Sequence, residues 1–189
     1  MLSASPGDHA VLFYQENELA GLVGAYLQSA IAEGGSAVLV ATPARRSQVN
    51  AWLATAGIDL AGAWADGSYV PLDAGRTMSC LVRNGRPDAA AFWGTMSPVL
   101  AAASRKHGPV RVLGEMVAVL RETGSADATL ELEALWNEIG RQYPFALLCA
   151  YPVAAVSAEE DSDLLAQVCC AHSAVVGAPP GSDVAWLPG

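Results

Sequence analysis

Short apolar runs alternate along the chain with longer segments in which apolar residues recur at every third or fourth position. The short runs predict strands covered on both faces, as in a parallel sheet. They span residues 10–14, 37–41, 110–114, 145–151 and 174–176. A sixth predicted strand, 69–73, contains Pro71. Because proline has no amide hydrogen for a sheet ladder, this strand is predicted at an edge.

The segments with helical spacing predict the helices that connect the strands. They span residues 19–31, 43–56, 88–107, 126–143 and 157–171, with one turn at 78–82 and a short piece ending at residue 123. Ser157 and Glu160 form a predicted capping box for the last helix. This alternation predicts an α/β three-layer sandwich, a mostly parallel central sheet with helices on both faces.

The length of 189 residues is enough for one domain with a full hydrophobic core. The alternating pattern extends over residues 7–177, which we take as a single domain. Residues 1–6 and the proline- and glycine-rich residues 178–189 are predicted to be loosely ordered termini.

The turn after the first strand has no phosphate-binding residues. Nucleotide-binding α/β proteins place glycines and a lysine there, because backbone amides and a positive charge hold phosphate at the helix N-terminus. This chain has Gln15, Glu16 and Asn17, followed by Glu18. The two carboxylates would repel a phosphate, so the pattern favours sensing or binding over catalysis.

Composition and charge narrow the function classes further. No apolar run reaches the roughly 18–20 residues that span a bilayer, and the first residues lack a signal-peptide pattern, so we expect a cytoplasmic protein without membrane contact. The net charge is −9, and the basic residues form only two short groups, which argues against direct binding of nucleic acid. The four cysteines have no metal-ligand spacing, so neither a metal nor another cofactor is predicted.

Five short motifs, taken in order, resemble the MEDS domain, the sensory domain named for methanogen and methylotroph proteins and the dichloromethane-responsive regulator. The motifs are HAVLFY at 9–14, GEM at 114–116, LEALWN at 132–137, LCAY at 148–151 and the histidine at 172. The family-motif residues among them are His9, Phe13, Gly114, Met116, Cys149 and His172. The resemblance covers nearly the whole chain.

The resemblance implies a divergent relative of the RecA and KaiC ATPases that has lost its phosphate loop. Such domains are thought to sense small molecules, including hydrocarbon derivatives, and to act in signal transduction and transcription regulation. They often lie beside DNA-binding or kinase modules. Because no such module is expected here, the signal would have to pass to a separate protein.

Residues at the carboxyl ends of the strands are the first candidates for a ligand site. Glu115 lies where the related ATPases hold a metal or activate water. A ligand-binding role and a structural role, fixing a loop by hydrogen bonds, are both consistent with its position. Tyr14, Glu16, Thr42 and Tyr151 complete this group. The implied topology puts the strand ending at Tyr151 between the first strand and the one ending at Gly114, which would gather Tyr14, Glu115 and Tyr151 at one edge.

Glu133 and Asn137 are further candidates, since residues four apart share a helix face. They could form a solvated or half-buried polar edge, whereas the resemblance favours a position facing a pocket. Trp136 belongs to the adjoining apolar stripe and is predicted in the core.

The family-motif histidines and cysteine have simpler explanations. A histidine such as His172 is favoured near a helix C-terminus by the helix dipole. A metal site shared with His9 would need at least a third ligand. Cys149 lies in an apolar strand and is predicted to be an inert core thiol.

The sequence therefore predicts a non-enzymatic sensory or regulatory domain, with no catalytic residue. It would bind a small, largely apolar ligand or a signalling protein, and a homodimer is compatible with it. The alternative is a divergent nucleotide-binding protein or weak ATPase, which would need basic side chains at the first helix N-terminus. Arg45, Arg46 and Arg111 are the candidates for that role.

Overall fold

A computed structural model of the chain describes residues 5–15, 19–123, 126–153 and 162–177. Within these ranges the elements are β1 (His9–Tyr14), α1 (Leu19–Ala32), β2 (Ser36–Ala41), α2 (Pro43–Thr55), α3 (Leu60–Ala65), β3 (Tyr69–Asp73), α4 (Ala74–Leu81), β4 (Val82–Arg83), β5 (Arg86–Pro87), α5 (Ala89–Ala103), β6 (Val110–Gly114), α6 (Met116–Thr123), α7 (Ala126–Gly140), β7 (Ala146–Pro152), α8 (Ser162–Ala171) and β8 (Ala174–Val176).

Six strands form one parallel sheet in the order β3-β2-β6-β7-β1-β8. The predicted α/β class with a parallel sheet is thereby confirmed. β3, which contains Pro71, lies at an edge as predicted. β7 lies between β1 and β6, so the expected order of the strands that end near Tyr14, Tyr151 and Gly114 is also confirmed.

Two hydrophobic cores lie on opposite faces of this sheet, because successive side chains of a strand point to opposite sides. On β1, Val11 and Phe13 pack in the core formed with helices α4 to α8, whereas Leu12 and Tyr14 pack in the core formed with α1, α2 and α3. The sheet is thus covered by helices on both faces. This arrangement produces the three layers.

The region between β3 and α5 differs from the prediction. Instead of one turn at 78–82, α4 begins directly after β3, since the Asp73 carboxylate accepts a hydrogen bond from the Arg76 amide at 2.9 Å. A two-stranded antiparallel hairpin, β4 and β5, follows. Its turn residues Asn84 and Gly85 have φ angles of 53° and 77°, the left-handed conformation that tight hairpin turns require.

Other boundaries shift by a few residues, and α3 was not predicted. Helix α5 ends at Ala103 rather than His107, and α7 ends at Gly140 rather than Tyr143. The capping box at Ser157, Glu16 and most of the termini predicted to be loosely ordered lie outside the described residues. None of the described helices combines the length and the apolarity that crossing a membrane demands.

Candidate functional site

The first candidate site lies at the carboxyl ends of β1, β2 and β6. We call Tyr14, Thr42, Arg45 and Glu115 the edge cluster. Glu115 directly follows β6, and its Oε1 accepts a hydrogen bond from Nε of Arg45 at 2.8 Å. Both side chains are buried, at 4% and 5% exposure. A paired guanidinium and carboxylate in this position neutralise each other's charge inside the protein.

The second carboxylate oxygen of Glu115 holds the start of α2. Its Oε2 accepts hydrogen bonds from the Thr42 amide at 3.0 Å and from the Thr42 hydroxyl at 3.3 Å. Thr42 is the N-cap of α2, and its hydroxyl oxygen accepts a hydrogen bond from the Arg45 amide at 3.4 Å. Glu115 therefore fixes the position of the α2 N-terminus relative to β6, as the structural interpretation of this residue predicted.

Tyr14 closes the edge cluster from the side of β1. Its hydroxyl lies 3.3 Å from an Arg45 terminal nitrogen and 3.5 Å from Glu115 Oε1. The guanidinium carbon of Arg45 is 5.2 Å from the centre of the tyrosine ring, within the range of a cation–π interaction. Tyr14 thus contributes both its ring and its hydroxyl here.

A small cavity opens beside these groups. It has a volume of about 140 Å³. Its lining residues are Tyr14, Thr42, Arg45, Glu115, Ala118, Val119 and Pro152. An apolar cavity of roughly 150 Å³ can hold a molecule of the size of benzene. The edge cavity therefore has room for a ligand of a few heavy atoms, and its wall carries both charged and apolar groups.

Tyr151 lies at the same edge of the sheet as Tyr14 and Glu115, but it does not join the edge cluster. In the pairing of β1 with β7, Tyr151 stands opposite Phe13, whereas Tyr14 stands opposite Pro152. Neighbouring residues of paired strands share a face, so Tyr14 and Tyr151 point to opposite sides of the sheet. They lie at the same edge but in different cores.

The arginines considered for nucleotide binding each contact a carboxylate of this chain. Arg45 pairs with Glu115, and Arg46 lies 2.9 Å from Asp73. Arg111 contacts Ser29 and lies 3.2 Å from Glu33. Each guanidinium group considered for phosphate binding is therefore already paired with a carboxylate of the chain.

The second candidate site lies in the other core, on the face of the sheet that α7 covers. We call His9, Glu133, Cys149 and His172 the core cluster. Oε2 of Glu133 lies 3.2 Å from Nε2 of His9, 3.4 Å from Sγ of Cys149 and 3.5 Å from Nε2 of His172. The interpretation of Glu133 as a solvated or half-buried residue is wrong, because its side chain is 0% exposed.

Asn137 and Tyr151 surround the core cluster. Asn137 lies one helical turn after Glu133, and its Oδ1 is 2.9 Å from Nδ1 of His9. The Tyr151 hydroxyl donates to Oε1 of Glu133 at 2.6 Å. The sequence-predicted candidates Glu133, Asn137 and Tyr151 are therefore brought together, but away from Tyr14 and Glu115.

Burial and the neighbouring groups shift the pKa values of the core cluster. Burial acts to raise the pKa of Glu133, but the hydrogen bond from His9 and the attraction of both histidines, in their protonated forms, outweigh it and hold that pKa below its usual value. Burial lowers the pKa of His172, more than the Glu133 carboxylate raises it. Burial, reinforced by Glu133, raises the pKa values of Cys149 and Tyr151 well above their usual range.

Cys149 is buried as predicted, but its surroundings are not purely apolar. Its sulfur lies 3.2 Å from Nε2 of His9 and 3.4 Å from Glu133. The sequence missed this environment because His9, Glu133 and Cys149 come from three separate elements, β1, α7 and β7. The two histidines, which needed at least a third partner to form a metal site, are joined here by two such groups.

We expect Cys149 to resist alkylation in the folded protein, because the thiol is buried and its raised pKa leaves little thiolate. The exposed thiols of Cys80 and Cys170 should react with iodoacetamide under the same conditions. Peptide mass mapping after labelling, with and without urea, measures this difference. Labelling of Cys149 at the rate of Cys80 without urea would contradict the buried position.

Comparison with known proteins supports one family assignment. No curated protein matches the chain significantly. The sequence model of the MEDS family, described as the MEthanogen/methylotroph, DcmR Sensory domain, matches residues 8–173. This match includes both clusters and every strand of the sheet except β8. The chain therefore belongs to the MEDS family of sensory domains.

Proposed function

We propose that this chain is a non-enzymatic sensory domain that binds a small ligand in the edge cavity and passes the signal to a regulatory protein partner. The observation that carries the proposal is the cavity of about 140 Å³ beside Tyr14, Arg45 and Glu115. In parallel α/β sheets, ligands bind outside the carboxyl ends of the strands, where this cavity lies. Family membership supports the sensory role.

The cavity wall favours a ligand with one polar end and a short hydrocarbon part. Arg45, Glu115 and the Tyr14 hydroxyl offer charged and neutral hydrogen-bonding groups on one side. Ala118, Val119 and Pro152 offer apolar surface on the other. A simple hydrocarbon derivative, such as a short alcohol, amine, carboxylate or halogenated compound, matches this combination.

The same contacts supply a route for the signal. A ligand that hydrogen-bonds to Arg45 or Glu115 competes with the bonds between Glu115 and Thr42. Because Thr42 caps α2, such competition would shift the start of this helix, which lies at the surface near the cavity. A partner that contacts α2 would then distinguish the ligand-bound from the free state.

Native mass spectrometry of the chain purified from its own host tests ligand binding first. We expect a retained small molecule, or saturable binding of a one- to four-carbon probe in calorimetry. In Ala118→Leu the larger side chain fills the cavity, so binding should be lost. Ala101→Leu, on the exposed side of α5, is the matched control and should bind as the wild type does. Equal binding by both variants would contradict the assignment of the cavity.

The alternative is nucleotide binding, as a divergent relative of RecA and KaiC proteins would show. The acidic residues Glu16 and Glu18, which follow β1 in the sequence, and the pairing of Arg45 with Glu115 argue against it. Calorimetry with ATP and Mg²⁺ is expected to show no binding at micromolar concentrations. Binding in that range would replace the ligand proposal with the nucleotide one.

A further inference from the structure

The core cluster has the geometry of a metal site. One ligand atom from each of His9, Glu133, Cys149 and His172 lies within 4.8 Å of the other three. Four of these separations, given above, are between 3.2 and 3.5 Å. Zinc bonds of about 2.0–2.3 Å in a tetrahedron place the ligand atoms roughly 3.3–3.7 Å apart. Small side-chain adjustments therefore suffice to surround one ion.

Both imidazole rings turn the same nitrogen inward. Nδ1 of His172 lies 2.6 Å from the carbonyl oxygen of Val168, which can only accept, so Nδ1 carries the proton. Nδ1 of His9 faces Oδ1 of Asn137, whose amide nitrogen donates to the carbonyl of Ala171 at 3.0 Å. This second bond fixes the orientation of the Asn137 amide. In the neutral form of each ring, the lone pair of Nε2 consequently points toward Glu133.

One of these lone pairs has no partner. Among the described residues, Nε2 of His172 makes no hydrogen bond, although the side chain is 0% exposed and the whole residue 9%. It faces the carboxylate of Glu133 at 3.5 Å. A buried lone pair opposite a buried carboxylate is unfavourable unless a positive charge lies between them. Either a proton on Nε2 or a metal ion between the two groups supplies that charge.

We propose that His9, Glu133, Cys149 and His172 bind one divalent transition-metal ion, with Zn²⁺ as the preferred ion. Two imidazoles, a thiolate and a carboxylate are a donor set that zinc accepts in tetrahedral sites. A carboxylate and a thiolate balance the two positive charges of the ion, so the buried site is neutral when it is filled. Cys149 releases its proton on binding, as a zinc-bound thiol does.

Surrounding groups hold the ligands in place. Asn137 and the Val168 carbonyl bind the outer nitrogens of the two histidines, and Tyr151 binds the outer oxygen of Glu133. Such contacts orient the ligands of most metal sites. A cavity of about 370 Å³ at the amino ends of the strands has His9 and Asn137 in its wall, so it reaches the outer side of one ligand.

Four protein ligands leave no open position, so the site is structural rather than catalytic. It joins β1, α7, β7 and the residue that follows α8. The metal would therefore tie these elements together at a site that shares no residue with the edge cavity. This inference does not depend on the proposed ligand, and each can fail without the other.

Titration of the chelator-treated full chain with Zn²⁺ and with Co²⁺ tests the site. We expect one ion per chain by native mass spectrometry, with micromolar or tighter affinity, and a higher melting temperature when Zn²⁺ is in excess. Co²⁺ should give the absorption bands of a tetrahedral ion and a thiolate-to-cobalt charge-transfer band. The cobalt spectrum of the wild type requires no variant, so it decides the question even where a variant fails to fold.

Two cysteine variants identify the ligand. Cys149→Ser should lose the charge-transfer band and bind Zn²⁺ at least about 100-fold more weakly. This loss of affinity is larger than the roughly 10- to 100-fold loss expected when a residue that only contacts a ligand is removed. Cys170→Ser, which changes an exposed thiol, is the matched control and should keep both properties. No stoichiometric binding by the wild type would overturn the proposal. A charge-transfer band that survives in Cys149→Ser but disappears in Cys170→Ser would do so as well.

Discussion

Glu115→Ala is expected to lower the free energy of unfolding by about 3–5 kcal/mol, the cost of leaving one member of a buried ion pair without its partner. The guanidinium of Arg45 would stay buried with its charge uncompensated by Glu115. The Thr42 amide at the start of α2 would also lose its acceptor. Urea denaturation followed by circular dichroism measures the change.

Two further variants test whether the loss of stability in Glu115→Ala comes from the unpaired charge of Arg45. The double variant Arg45→Met with Glu115→Leu removes both charges and should recover most of the stability, because apolar groups of similar volume can replace a buried pair. Glu131→Ala breaks the exposed ion pair with Arg86 and should change stability little. If Glu115→Ala is no less stable than Glu131→Ala, the edge cluster does not hold the fold together.

Trp136→Ala is expected to cost about 3–5 kcal/mol of stability, the usual range when a large aromatic residue is removed from a core. Trp136 is 1% exposed and packs edge-on against Phe92, with ring centres 5.2 Å apart and an angle of 89°. It also contacts the ring of Phe145 at 6.2 Å. The prediction that Trp136 is a core residue is thereby confirmed. Chemical denaturation again gives the measurement.

Trp136→Phe should lose much less stability than Trp136→Ala. Among the described side chains, the indole nitrogen of Trp136 has no hydrogen-bond partner, so phenylalanine removes volume but no polar contact. The matched control is Trp64→Ala, since Trp64 is 70% exposed and its removal should change the stability by less than about 0.5 kcal/mol. Equal losses in Trp136→Ala and Trp64→Ala would contradict the packing described above.

The sheet was predictable because its strands are short, apolar on both sides and separated by helices of ordinary length. The edge position of β3 could be predicted from Pro71, because proline has no amide hydrogen to donate to a neighbouring strand. The hairpin of β4 and β5 was missed although Asn84 and Gly85 are a strong signal for a tight hairpin turn. Its strands have only two residues each, too few to show an alternating pattern.

The candidate sites were only partly predictable. Glu115 and Tyr14 could be found because the carboxyl end of a strand is a position that sequence reveals. Their partner Arg45 could not, since its position depends on how α2 packs after β2. That Tyr151 and Tyr14 face opposite sides of the sheet could not be predicted for a similar reason. The strand pairing sets Tyr151 opposite Phe13, and this register is a tertiary property.

By itself, the sequence determined the alternation of strands and helices, the family, and the acidic residues after the first strand that disfavour phosphate. These features depend on the local order of residues, in which periodicity and charge can be seen directly. Only the tertiary structure decided which side chains meet. His9, Glu133, Cys149 and His172 are up to 163 positions apart in the chain, and it is the parallel pairing of β1 with β7 and the packing of α7 that bring them together.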